Sequence, residues 1–184
     1  MGQKICGGSR RGMGTRTGLQ IEMIDTRFST AMQIVISVAV NDEAGTRTTS
    51  QSLAVALDTS SSFVRKLLLP LTEANILVAS VGGKGGVRLA RPRNEIQLGE
   101  IYAVVTGNKR LWATRHEIPH EGLVGENIGD LSEYLCDRAE QAVVDMLGSV
   151  TVEDSVAELR RLDVERQKLA AAETSAADRR DAAE

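Results

Sequence analysis

The sequence predicts a mainly α-helical fold with one small β-hairpin, an α+β arrangement, on three observations. Apolar residues recur at helical spacing over much of residues 25–160. Two short aliphatic runs, 75–81 and 87–91, flank the glycine-rich stretch Gly82-Gly83-Lys84-Gly85-Gly86, which marks a hairpin whose tip needs positive φ. The hairpin directly follows two short helices joined by a tight turn. This order defines a winged helix–turn–helix, followed here by a long helix suited to dimerisation.

Residues 1–22 carry Lys4, Arg10, Arg11 and Arg16 against Glu22, are rich in glycine and threonine, and lack an apolar period. They are expected to be a disordered basic extension. A plain extension, or sequence ahead of a natural start at Met23, is the preferred reading over a basic arm on DNA, because termini of low hydrophobicity need no role. Asp25 is the expected N-cap of a first helix to about Val40, with Phe28, Met32, Val35, Ile36 and Ala39 on its apolar face. Asn41-Asp42-Glu43-Ala44-Gly45 breaks it. Thr49 or Ser50 caps a short second helix with Leu53, Ala54 and Leu57 inward. Asp58-Thr59-Ser60 is a tight turn, and a third helix opens at Ser61 and reaches about Ala74. Pro70 inside it removes a hydrogen bond and predicts a bend or break.

After the hairpin, Glu95-Ile96-Gln97-Leu98 opens a helix that ends at Gly107. Residues 107–129 are polar and glycine-bearing and are expected to be a loop. From Asp130 a long helix runs to Leu147, with Leu131, Tyr134, Leu135, Ala139, Ala142, Val143 and Met146 on one broad stripe. Such a stripe, late in a chain whose core is already made, suggests packing against a second subunit; folding back onto its own domain is the alternative. Thr151 caps a further helix, and from Arg160 the chain is alanine-rich and charged, a solvated helix that frays. The organisation is therefore a basic extension (1–22), a winged helix–turn–helix (23–106), a loop (107–129), a dimerisation region (130–160) and a charged tail (161–184).

Composition narrows the function. At 184 residues and 42% hydrophobic, the chain can bury one core with length to spare. The 3% aromatic content argues against stacking platforms for single-stranded nucleic acid. No apolar run approaches the roughly 18 residues of a membrane span, and the N-terminus lacks a secretory apolar stretch. With two cysteines and no disulfide framework, a cytoplasmic protein is expected.

The formal charge of −3 is unevenly distributed. Between Ser60 and Glu95 six basic residues (Arg65, Lys66, Lys84, Arg88, Arg91 and Arg93) stand against Glu73 and Glu95. From Glu100 to Glu184 there are 10 basic and 18 acidic residues. Attraction to phosphate is screened over about 8–10 Å, so a locally basic face can bind DNA although the other half is acidic. In a helix–turn–helix the second helix lies in the major groove, with its N-terminal residues at base edges. Here these are Ser61, Ser62, Arg65 and Lys66. Arginine pairs with guanine O6 and N7, while lysine more often meets phosphate. Ser50 and Gln51, opening the preceding helix, join the expected DNA-binding set, and Lys84 and Arg88 of the hairpin are expected in or near the minor groove.

The ordered set resembles the Rrf-two family of winged-helix regulators over about residues 23–160. It is carried by Arg27-Phe28, by Thr59-Ser60-Ser61-Ser62-Phe63-Val64-Arg65-Lys66-Leu67 and by Leu71-Thr72-Glu73-Ala74-Asn75-Ile76-Leu77-Val78. The hairpin Gly82-Gly83-Lys84-Gly85-Gly86-Val87-Arg88-Leu89 and the run Glu95-Ile96-Gln97-Leu98-Gly99-Glu100-Ile101 complete it. The resemblance implies a transcriptional regulator, expected to be a repressor, binding double-stranded DNA as a homodimer at a two-fold symmetric operator. Activation is the other sense of regulation, and control by a small-molecule or protein effector stays open. A protein-interaction module of the same fold, controlled by a partner protein or metabolite without independent DNA binding, is the alternative.

Two departures matter. Many members hold an iron–sulfur cluster through three cysteines in the loop after the hairpin's following helix, and residues 111–125 here contain none. A cluster needs thiolate ligands, so no cofactor is expected. Some relatives carry an arginine where Gly82 stands, which leaves minor-groove contact to Lys84 or Arg88.

Other chemistry is weaker. His116 and His120, with Glu117 and Glu121, are spaced for one helix face, but Pro119 disfavours the helix and no metal site is expected. Cys136, between Leu135 and Asp137, is expected to be a small structural residue, and Cys6 incidental. The glycine stretch lacks the lysine position and following helix of a phosphate-binding loop. No nucleophile–base pair appears, so no enzyme is expected.

Overall fold

The structure, a computed structural model, describes residues 25–80, 82, 85–107, 109–113 and 121–181, with side chains to residue 171. Residues 1–22, Lys84, His116 and His120 lie outside that set. The elements in chain order are α1 (Arg27–Glu43), α2 (Ser50–Ala56), α3 (Ser61–Glu73), β1 (Leu77–Ala79), β2 (Val87–Leu89), a short 3-10 turn (Arg93–Glu95), α4 (Leu98–Thr106), α5 (Leu123–Gly148) and α6 (Val152–Asp181).

Helix α1 is the central beam. Thr26, not Asp25, occupies its N-cap position without a side-chain cap. Asp25 instead accepts the Arg27 amide at 3.0 Å and clasps the Arg27 guanidinium, Nη2 to Oδ2 being 2.6 Å. The fully buried face is Ala31, Ile34, Val35, Val38 and Ala39. Of the expected face only Val35 and Ala39 are buried, while Phe28, Met32 and Ile36 pack along its edge. Phe28 meets Tyr102 of α4 edge to face, centroids 5.2 Å apart. The helix ends beyond the expected Val40, at Glu43, and Gly45 at φ +65° turns the chain.

Thr49 caps α2 with a reciprocal box to Ser52, and the Ser60 hydroxyl caps α3 by accepting the Phe63 amide at 3.1 Å. Asp58, at φ +46°, makes the turn between them. Val64, Leu67, Leu68 and Leu71 bury one face of α3, and Phe63 is half-buried beside it. The helix continues through Pro70 without the expected break. The carbonyl that Pro70 deprives of a partner belongs to exposed Lys66, where water can take the amide's place.

The hairpin pairs Leu77 with Leu89, Val78 with Arg88 and Ala79 with Val87 in antiparallel register. Ile76, Leu77 and Val87 anchor it in the core. The helix expected from Glu95 begins later: residues 93–95 form the 3-10 turn, Ile96 is extended and buried, and a Gln97–Glu100 capping box opens α4 at Leu98. That extended stretch pairs with the start of α6, the Leu98 amide donating to Val150 and the Val152 amide to Ile96, both at 2.9 Å.

The loop expected over 107–129 is corrected at its second half, because α5 starts at Leu123. The Gly122 amide meets the Glu126 carboxylate at 3.3 Å, which closes the first turn. Within the chain α5 buries Cys136 and Leu147, whereas Leu131, Tyr134, Leu135 and Met146 of the apolar stripe are exposed. Thr151 and Asp154 cap α6 reciprocally. Helix α6 buries Val152 and Val156, then passes Arg160 as one continuous backbone helix to Asp181.

Candidate nucleic-acid interface

Two surfaces meet at the interface: the N-terminal faces of α2 and α3, and the hairpin. The capped start of α3 puts Ser61 half-buried, with Ser62, Arg65 and Lys66 exposed. The burial of Val64, Leu67 and Leu68 requires this, since on a helix the residues one and two positions past Val64 leave its core face. Ser50 is half-buried in the first turn of α2, and Gln51 is exposed beside it. A cleft of about 430 Å³ separates these helices from the hairpin. Ser50 and Arg65 line it from one side and Gly82, Gly85 and Gly86 from the other. Gln51, Ser61, Ser62 and Lys66 do not line that cleft. Arg88 is exposed on β2 and opens onto a second cleft of about 490 Å³, shared with Asp42, Thr46 and Ser80.

The hairpin is held by the last turn of α1 and by the connector between α1 and α2. The Asp42 carboxylate accepts the Leu89 amide at 3.0 Å, and the Thr48 carbonyl accepts the Val87 amide at 2.9 Å. Asn41 donates to the Thr48 hydroxyl at 3.0 Å, which fixes the connector itself. Arg47 then reaches further along the hairpin, its Nε donating to the Gly85 carbonyl at 2.5 Å. Arg47 lines both clefts. Sequence reading missed it, because its contact lies 38 residues away and no motif contains it.

Two of the six basic residues of 60–95 are committed elsewhere. Arg91 donates to the Asn75 and Glu95 carbonyls and to the Glu100 carboxylate, the last at 2.6 Å. Arg93 bridges Glu153 of α6 and Glu43 of α1, and Arg160 adds a second guanidinium to Glu43 at 2.6 Å. Hydrogen bonds from Arg93 first, then Arg160, hold the Glu43 carboxyl below its ordinary range. Arg91 and Arg93 therefore tie the end of the hairpin to α1, α4 and α6, leaving Arg65, Lys66 and Arg88 as the outward cations among the described residues of that stretch.

A capped second helix with exposed Ser, Arg and Lys at its start, beside a hairpin seated on the preceding connector, defines a winged helix–turn–helix. The family described as "Rrf2: Iron-dependent Transcriptional regulator" matches residues 24–158. The chain belongs to this family, one of transcriptional regulators rather than enzymes. It is 27% identical over 133 residues to YwnA of Bacillus subtilis (strain 168), named as an HTH-type transcriptional regulator, spanning 72% of this chain and 96% of YwnA. The oxidized form of Staphylococcus aureus CymR is similar in structure, with 25% identity, TM-score 0.55, and coverage of 72% of this chain and 94% of that one. T. potens IscR shares the fold at 18% identity and TM-score 0.56, over 77% of this chain and 91% of its own.

An iron–sulfur cluster does not fit this chain's donor set. The whole sequence has two cysteines. Cys6 lies outside the described residues. Cys136 is buried in α5, its thiol directed to the Glu140 carboxylate at 3.4 Å and the Trp112 carbonyl at 3.9 Å. A cluster is held by cysteine thiolates, generally four, with histidine replacing two in some cases. Here Glu140 instead fastens the segment after α4 to α5, accepting the Leu111 amide at 2.9 Å and Arg110 at 3.2 Å.

Proposed function

We propose that this chain is a sequence-specific DNA-binding transcriptional regulator, cytoplasmic, that represses by occupying a two-fold symmetric operator as a homodimer. Ser61, Ser62 and Arg65 read the major groove, with Ser50 and Gln51 beside them and Lys66 on phosphate. Lys84 and Arg88 lie in or near the minor groove. The observation that carries this reading is the shared cleft: Ser50 and Arg65 of the two motif helices open onto the same space as the hairpin. Dimerisation is supported by the apolar face of α5, where Leu131, Tyr134, Leu135 and Met146 stand exposed on one chain.

The test is selection of duplexes from a random library by the purified protein. Enrichment of a two-fold symmetric sequence, bound at least about 10³ more tightly than a scrambled duplex, supports the reading. Recovery of no sequence, with no duplex binding at low salt, overturns it. That outcome favours the second reading, a partner-binding module that uses the exposed α5 face.

A further inference from the structure

We infer that Arg47 is a positioning residue for DNA reading: a strut that sets the distance between the hairpin and the N-terminal face of α3. The inference rests on the proposed DNA-binding role.

Three attachments hold the hairpin to the last turn of α1 and the α1–α2 connector, and they differ in kind. Asp42 grips Leu89 at the hairpin's base and Thr48 grips Val87 through backbone, so both fix the strands. Arg47 alone of the three meets the turn end, at Gly85, beyond the last strand pair Ala79–Val87. Among the described residues the turn end's other bonds are local: Ser80 to Gly86 through backbone and hydroxyl, and the Gly85 amide to the Gly82 carbonyl at 2.9 Å. Glycines resist bending weakly, so a turn tied only to itself can swing about its base. The bond from Arg47 crosses from the connector that leads into α2, and α2 packs on α3. The side chain that fixes the turn thus originates one helix away from the groove-facing residues, and it lines the cleft that Arg65 lines from the other wall.

Groove reading by two elements at once requires their spacing to match the duplex; a hairpin free to swing loses specific contacts before it loses attraction to phosphate. The chemistry of the bond provides a discriminating test. It comes from Nε, the fourth side-chain atom counted from Cβ, and glutamine places its amide nitrogen at that same atom count. Arg47→Gln keeps a donor for Gly85 and removes the charge. Arg47→Met keeps the stem length and removes both donor and charge.

The experiment uses the full chain, with hydrogen exchange of the 77–90 peptide in the free protein and anisotropy titration of the selected duplex across a salt series. The strut predicts that Arg47→Met speeds hairpin exchange at least about fivefold and weakens the selected duplex about tenfold. It also predicts that Arg47→Gln stays within about threefold of wild type in both, and that the salt slope changes by less than about half a unit in either variant. Equal losses for the two variants, with slopes lowered by about 0.9, would make Arg47 a phosphate contact and overturn the strut. Wild-type exchange rates in Arg47→Met would overturn it too. If wild type selects no duplex, the proposed function fails, and the exchange arm still decides whether Arg47 holds the turn. Circular dichroism melts confirm folding, and Arg47→Gln serves as the folded reference should Arg47→Met unfold.

Discussion

Gly86→Ala is the sharpest test of how the hairpin is seated, because two effects oppose each other and the structure decides the sign. Gly86 does not have the left-handed φ seen at Gly45 or Gly82, so alanine fits its backbone. By narrowing the unfolded ensemble, the substitution alone would stabilise by about 0.4–1 kcal/mol. The added Cβ, however, would stand 2.8 Å from the Thr48 carbonyl oxygen, well inside ordinary contact at 3.4 Å. That oxygen is backbone and already accepts the Val87 amide at 2.9 Å, so relief means parting connector from hairpin. Losing the bond costs about 0.5–1.5 kcal/mol and residual overpacking about 1–3 kcal/mol. The net is a destabilisation of about 0.5–4 kcal/mol, a fall in melting temperature of about 1–16 °C for a chain this size. Calorimetry reads the shift, and hydrogen exchange places the loosening in 77–90. Gly45→Ala is the control: nothing lies within 4 Å of its added Cβ. Its φ of +65° costs about 1–2 kcal/mol without releasing the hairpin. A Gly86→Ala protein melting at or above wild type would refute the packing assigned to the connector.

Arg65→Glu combined with Lys66→Glu changes two exposed side chains, so stability should move by less than about 1 kcal/mol while binding to the selected duplex is lost; anisotropy and calorimetry on one preparation check both. Leu131→Glu with Leu135→Glu, at positions 51% and 47% exposed, should convert dimer to monomer in sedimentation equilibrium without loss of helical signal. Hydrogen bonds from Arg27 first, and from Lys109, hold the Asp25 carboxyl well below the ordinary carboxylate range. The unfolded chain, with its carboxyl near the usual value of about 3.9, therefore takes up that proton first as pH falls. Asp25 stabilises the fold at neutral pH and loses that contribution below about pH 4, so the melting gap between wild type and Asp25→Asn should narrow from pH 7 to pH 3.

Local chemistry made much of this fold readable. Thr49 and Ser60 cap α2 and α3 where a hydroxyl precedes an apolar helical period, and the glycine stretch marks the hairpin turn. Less readable were features that depend on distant partners. The start of α5 at Leu123 is obscured by Gly125 and Gly129, which weaken any helical reading until tertiary context sets the boundary. Arg91 and Arg93 read as part of a cationic surface, because nothing local announces that Glu43, Glu100 and Glu153 come to meet them. The α1 face is misplaced for a similar reason: between Ala31 and Val40 only Gln33 and Ser37 are polar, so the middle of the helix has several plausible stripes, and the neighbours choose between them. Arg47 was invisible because its partner is a backbone carbonyl.

The central claim is sequence-specific DNA binding by the α2–α3 face and hairpin together. The most direct measurement is fluorescence anisotropy with the selected duplex and its scrambled counterpart over a salt series, in parallel for wild type and the Arg65→Glu, Lys66→Glu protein. The account predicts a preference of at least about 10³ for the selected duplex, affinity falling steeply as salt rises, and loss of the preference in the charge-reversed protein. Equal, weak binding of both duplexes by wild type, or an unchanged preference after charge reversal, would contradict it.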